Sequence, residues 1–275
     1  MIYSKTAISK KYTDAILESY IHEPYDELAI NKRKAVIVCP GGGYRALSER
    51  EGEPIALQYF AAGANAFVLR YSLGEKAADF APLIEACLAI KYVREHAEEY
   101  HIDPDYVYIT GFSAGGHLSA WAGTSWHTEP VLSEIGNANP EICKPTATIL
   151  CYPVISSAEF RHEDSFVVLR GEKDYSSDHP DPFSLECLVD EHTSPAFIWH
   201  TFADNAVPVQ NSILYAQALA NNHIPFELHI YPNGVHGLAL CNKETWSNLP
   251  FMLSDYNKGW IDLAIKWMDE APFKN

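Results

Sequence analysis

Ser113 stands in Gly111-Phe112-Ser113-Ala114-Gly115, between a β-like run (YVYIT, 106–110) and a helix-like run. G-x-S-x-G at a strand-to-helix turn projects a serine hydroxyl beyond the end of a sheet. The hydroxyl then lies at a helix N-terminus, where free amides and the helix dipole favour developing negative charge. Gly111 and Gly115 allow strand and helix to pass closely. The chemistry that fits is nucleophilic attack on an acyl carbonyl. A glycine-rich turn with an incidental serine is the alternative; YVYIT before it and AGGHLSAW after it favour the nucleophile.

A serine needs a base to take its proton, and the base needs a carboxylate to set its tautomer. The order to look for is Ser, then Asp or Glu, then His. His236 in Asn233-Gly234-Val235-His236-Gly237 follows the β-like FELHIYP and lies on a glycine-bracketed loop. The chain has 12 histidines. His200 and His229 fall within strand-like runs and read as packed or solvent-facing, and His117 is too local to Ser113 to serve as base. Asp204 follows the strand-like AFIWHT and is the candidate acid; its alternative role is a turn or helix cap ahead of Pro208. Asp174, Asp178 and Asp181 are the fallback acids. Activity should fall in acid, because an imidazolium cannot accept a proton.

The tetrahedral intermediate of such a reaction carries an oxyanion that needs preorganised N–H donors. Pro40-Gly41-Gly42-Gly43-Tyr44 follows an apolar run, and its three glycines can turn amides inward. The Ala114 amide, next to the nucleophile, should supply a further donor. A phosphate loop is the rival for the glycines, but G-x-x-x-x-G-K-[ST] does not occur. Tyr44, Phe112 and His117 are expected to line the substrate pocket.

The elements that must hold these residues alternate β-like and helix-like runs, the pattern of a parallel sheet covered on both faces. Strands are expected at 15–22, 35–39, 65–71, 106–110, 146–152, 196–201 and 225–231. Helices are expected at 54–62, 79–99, after Ser113, at 208–221 and at 259–268, within a count of about six. Residues 156–190 read as a polar insertion or partial cap on a single domain spanning 1–275.

The formal charge of −16, from 20 basic and 36 acidic residues, excludes the basic footprint that nucleic acid demands. It equally disfavours an anionic membrane surface. No run approaches the roughly 20 apolar residues of a membrane span. The opening MIYSKTAISKKYTD lacks the apolar core of a secretion signal, so a cytoplasmic protein is expected. Cys39, Cys87, Cys143, Cys151, Cys187 and Cys241 form no C-x-x-C pair and read as reduced structural residues. The aromatic C-terminal helix, with Trp260 and Trp267, would suit either its own sheet or a homodimer.

Taken in order, PGGGY (40–44), GFSAGGHLSAW (111–121), DNAVPVQNS (204–212) and GVHGL (234–238) resemble the α/β-hydrolase superfamily. The branch is that of acetyl-xylan-esterase-like and hormone-sensitive-lipase-like esterases. Arg50-Glu51-Gly52-Glu53-Pro54 matches more loosely. Pro40 stands where many lipase-like members have histidine, which points to the sugar-esterase side. The resemblance implies an eight-stranded, mostly parallel sheet, one strand more than the pattern shows and expected near the N-terminus. It also implies Gly42 and Gly43 as amide donors and no metal or organic cofactor. The expected activity is serine-dependent hydrolysis of short acyl esters, with acetylated sugars as the favoured substrate. An acyltransferase, a peptidase or a non-catalytic small-molecule-binding protein are the rivals. A peptidase resembling this chain would usually carry a gating domain, and a binding module would typically lack a triad member.

Overall fold

The computed structural model describes residues 1–12, 14–25, 27–136, 138–171 and 182–270. Its centre is an eight-stranded sheet: β1 (Ile2–Ala7), β2 (Ile16–Ile21), β3 (Arg33–Cys39), β4 (Asn65–Arg70), β5 (Ile102–Phe112), β6 (Thr148–Cys151), β7 (Ala196–Thr201) and β8 (Phe226–Tyr231). The spatial order is β1-β2-β4-β3-β5-β6-β7-β8. β1 with β2 and β2 with β4 are antiparallel, and every later pairing is parallel. This is the α/β-hydrolase fold that the sequence motifs imply. β1 is the eighth strand. Its residues are mostly exposed, so no buried face marks it in the sequence, and it is held by its antiparallel register with β2, Ile2 opposite Ile21.

Seven α-helices occur among the described residues: α1 (Glu53–Ala61), α2 (Ala81–Glu95), α3 (Ala114–Ser125), α4 (Glu129–Ile135), α5 (Glu163–Arg170), α6 (Gln210–Asn221) and α7 (Trp260–Glu270). Strand alternation divides the core. Ala35, Ile37 and Cys39 of β3 face Leu83 and Ile90 of α2 and Leu118 of α3 in one cluster, where Tyr215 and Leu219 of α6 also lie. Val36 and Val38 belong to the opposite cluster, with Ile55 and Tyr59 of α1 and Trp260 and Ala264 of α7. Trp260 is buried there and Trp267 packs partly buried against it, so the aromatic face of α7 rests on its own sheet.

The strand expected at 106–110 begins earlier, at Ile102, and Asp103-Pro104-Asp105 form an irregularity within it. Arg33 pairs with Ile102 and Ala35 with Val107, so β5 carries extra residues there. Pro104 has no N–H for a ladder, and the Asp105 amide turns instead to the Asp103 carboxylate at 3.1 Å. Within the stretch 156–190, the helix α5 occupies Glu163–Arg170. Only Ser165, Phe166, Val168 and Leu169 of that helix are buried, too short a stripe to stand out. Asp174, Asp178 and Asp181 fall outside the described residues.

Candidate active site

The parallel strands end along one edge, with Phe112 opposite Cys151 and Cys151 opposite Trp199. Crevices beyond the carboxyl ends of such strands are where α/β folds place ligands. Ser113 follows β5 directly, with φ 54° and ψ −117°, a conformation that costs a non-glycine residue energy. The surroundings hold it there. Its amide donates to the Cys151 carbonyl at 3.0 Å, and its carbonyl accepts from the His117 and Val154 amides at 3.0 Å each. A Cβ on Gly111 would lie 1.9 Å from the Gly115 carbonyl oxygen, and one on Gly115 would lie 2.1 Å from that of Cys39. Only hydrogen at both positions lets α3 start this close to β3 and β5.

His236 Nε2 lies 2.8 Å from Ser113 Oγ, and His236 Nδ1 lies 2.7 Å from Asp204 Oδ2. A carboxylate only accepts, so Nδ1 carries the hydrogen and Nε2 is free to accept from the serine. The other oxygen of Asp204 accepts from the Ala206 and Val207 amides at 2.9 Å each. Burial alone would raise the pKa of this carboxyl. The bonds from His200 and His236, with the Val207 amide, outweigh burial and hold it well below the usual carboxylate range. Asp204 is therefore ionised wherever the site could work, and its turn-forming and His236-binding roles coexist in one side chain.

His200 is a partner that its strand-like context concealed. It is fully buried, and Nε2 lies 3.0 Å from the Val207 carbonyl and 3.3 Å from Asp204 Oδ2. Both neighbours accept, so Nε2 carries the hydrogen, and Nδ1 accepts from Ser212 Oγ at 2.8 Å. The spacing of four residues to Asp204 was the available signal.

In the glycine turn, the Gly42 carbonyl accepts from the Arg45 and Ala46 amides, and φ at Gly42 is 131°. A Cβ there would lie 2.1 Å from the Ala46 carbonyl oxygen. The Gly41 amide is taken by Glu51 Oε2 at 3.0 Å. Among the described residues the amides of Gly42, Gly43 and Ala114 donate to no backbone or side-chain group. A Cβ on Gly41 would lie 3.0 Å from Ser113 Cβ, so the turn flanks the serine.

Glu51, from the loosely matching stretch, ties the site together. Its other oxygen accepts from the Tyr152 hydroxyl at 2.7 Å, and that hydroxyl accepts from the Ala239 amide at 2.9 Å. The Tyr152 ring meets the His236 ring edge-on, with centroids 5.1 Å apart. Arg50 Nη1 donates to the Gly237 carbonyl at 2.9 Å. Adjacent residues thus hold both the glycine turn and the histidine loop.

The three residues expected to line the pocket do not. Tyr44, Phe112 and His117 have 0% exposure. Tyr44 Oη lies 2.8 Å from His117 Nδ1, His117 Nε2 lies 2.8 Å from the Phe183 carbonyl, and Phe112 packs against Tyr152 and Trp260. Their polar atoms are satisfied internally and no surface is left for a ligand. His162, which the sequence did not single out, lies near His236 instead. Burial, and then the charge of His236, lower its pKa.

No group of three or more His, Cys, Asp or Glu side chains is disposed to hold a metal among the described residues. Nor is any described helix long and apolar enough to cross a membrane.

Residues 26–219 match the model of the BD-FAE family. The chain is 34% identical over 217 residues to an acetylxylan esterase of Xylanibacter ruminicola, covering 75% of this chain and 41% of that protein. The chain spans less than half the length of the curated relatives it matches, 36% of another. Solved structures match along nearly their whole length. One is MGS-M1, an alpha/beta hydrolase enzyme from a Medee basin deep-sea metagenome library, at 36% identity and TM-score 0.79, covering 98% of this chain and 97% of that one. Another is an acetyl ester-xyloside bifunctional hydrolase from Caldicellulosiruptor lactoaceticus, at 35% identity and TM-score 0.80, covering 99% and 97%.

Proposed function

We propose that this chain, which belongs to the BD-FAE family of α/β hydrolases, cleaves short acyl esters through a Ser113 acyl-enzyme, with acetylated sugars as its substrates. The observation that carries the reading is the unbroken relay from Ser113 Oγ through His236 to Asp204, at 2.8 and 2.7 Å.

Ser113 Oγ attacks the carbonyl carbon while His236 Nε2 takes its proton. The carbonyl electron pair moves to oxygen, where the Gly42, Gly43 and Ala114 amides receive it. Collapse breaks the bond to the leaving oxygen, and His236 returns the proton to it, releasing the alcohol. Water then enters, loses a proton to His236 and attacks the acyl carbon. The second collapse frees the acid and restores Ser113. Asp204 keeps Nδ1 protonated throughout and stabilises the imidazolium. The acetyl group and the sugar alcohol are favoured by likeness to the acetylxylan esterase and the acetyl ester-xyloside hydrolase.

The test is hydrolysis of 4-nitrophenyl acetate and octanoate by the native chain and by Ser113→Ala. Acetate should be preferred, and Ser113→Ala should lose at least about a thousandfold in kcat. A native chain without Ser113-dependent turnover of either ester would overturn the reading.

A further inference from the structure

The segment between β6 and β7 brings a second imidazole to the same opening. His162 directly precedes α5, and Nδ1 is bonded to Ser165 Oγ at 2.9 Å, which fixes the ring plane. A Cβ on Gly43 would lie 3.8 Å from His162 Cε1 and 3.8 Å from Ser165 Oγ. The ring edge therefore overhangs the turn that carries the Gly42 and Gly43 amides. The charges of His236, Asp164 and Asp204 all reach it. The ring is only partly buried, and Nε2 bonds no group among the described residues. One nitrogen is anchored and the other is available at the mouth of the site.

We propose that His162 Nε2 hydrogen-bonds a hydroxyl on the alcohol half of the ester, adjacent to the scissile oxygen, and so selects esters of polyols. The inference rests on the ester-hydrolase reading of the Ser113 site. In that reading the leaving oxygen must lie within hydrogen-bond distance of His236 Nε2. A hydroxyl on the neighbouring carbon of a sugar lies about 3 Å from that oxygen, comparable with a hydrogen-bond length. On the Gly43 side the structure places His162, whose Cε1 would lie 3.8 Å from a Cβ on Gly43. A neutral imidazole suits a neutral hydroxyl, because each can donate or accept one bond. The serine anchor leaves the imidazole free to adopt either tautomer.

The test compares kcat/KM for three acetates: a monoacetylated xyloside with a free hydroxyl beside the ester, its analogue lacking that hydroxyl, and 4-nitrophenyl acetate. Each is run with the native chain, His162→Leu and His162→Gln. One neutral hydrogen bond is worth about tenfold. His162→Leu should therefore lose about tenfold more on the hydroxylated xyloside than on 4-nitrophenyl acetate, chiefly in KM. The native chain should lose a similar factor on the deoxy analogue, and His162→Leu should not distinguish the two xylosides. His162→Gln, whose amide can still donate, should recover part of the loss. Equal losses on all three esters, or a native chain indifferent to the hydroxyl, would overturn the proposal. Should His162→Leu not fold, the native chain and His162→Gln on the two xylosides still decide it. Absence of Ser113-dependent hydrolysis of 4-nitrophenyl acetate is a different outcome, which refutes the underlying reading.

Discussion

Replacing Tyr152 by phenylalanine removes one oxygen and leaves a ring of the same shape. In the native structure that oxygen donates to Glu51 Oε1 at 2.7 Å and accepts from the Ala239 amide at 2.9 Å. Both partners are buried, with Glu51 at 3% and Ala239 at 0% exposure, so water cannot easily replace the hydroxyl. The orphaned amide should cost about 1–3 kcal/mol and the lost bond to a carboxylate about 1.5–3 kcal/mol. Together the expected loss is about 2.5–6 kcal/mol, a large share of the roughly 5–15 kcal/mol of a whole domain. Urea unfolding followed by tryptophan fluorescence should show a lower midpoint at unchanged slope. Tyr215→Phe is the matched control. Its hydroxyl is equally buried but meets no partner among the described residues. Losing it should be neutral or slightly stabilising. The reasoning fails if Tyr152→Phe costs less than about 1 kcal/mol, or no more than Tyr215→Phe.

Asp204→Asn should cost about 10³–10⁴-fold in kcat on 4-nitrophenyl acetate with the fold intact by circular dichroism. The asparagine oxygen would satisfy the Ala206 and Val207 amides and turn its NH₂ toward His236, forcing the wrong tautomer. Gly111→Ala should abolish soluble folded protein, because its Cβ would lie 1.9 Å from the Gly115 carbonyl oxygen. Gly259→Ala, with nothing within 4 Å, should leave the thermal midpoint within a few degrees. Glu85 supplies a pH test. It is buried against the Ser72 amide at 2.7 Å, and burial raises its pKa to about 7 from an ordinary 4.5. A raised carboxyl adds stability that is fully present below pH 4.5 and is lost as pH climbs through 7. The native chain should therefore lose on the order of 3 kcal/mol over that interval. Glu85→Gln should flatten this slope, and an unchanged slope in the variant would assign the pH dependence elsewhere.

Much of the sheet was legible because β3, β4, β6 and β7 are short apolar runs bounded by turns. β1 was not, since its residues are mostly exposed and only pairing with β2 holds it in the sheet. β5 was legible only in its second half, because Pro104 and two aspartates look like a turn in any window of sequence. At the site, Ser113, Asp204 and His236 were selected by chain order and by the strand ends they follow. The structure brings these three within hydrogen-bond distance. Tyr44, Phe112 and His117 lie close in sequence to the glycine turn and the serine. Closeness along the chain does not say which way a side chain points, and all three point into the core.

Local covalent chemistry sufficed for some features of this protein. A glycine two residues before Ser113 and another two after it announce a tight turn, and a run of glycines announces backbone free to present its amides. Both depend only on the absence of a Cβ. Other features depended on contacts between distant parts of the chain. Glu51 meets Tyr152 across 101 positions, His236 meets Ser113 across 123, and His162, between β6 and β7, comes up against Gly43, which follows β3. Such pairings have no periodicity to read, because they are fixed only when the strands take their order and the helices pack onto them. The sequence therefore determined which groups could perform the chemistry, and the tertiary structure decided which others hold them in place and face the ligand.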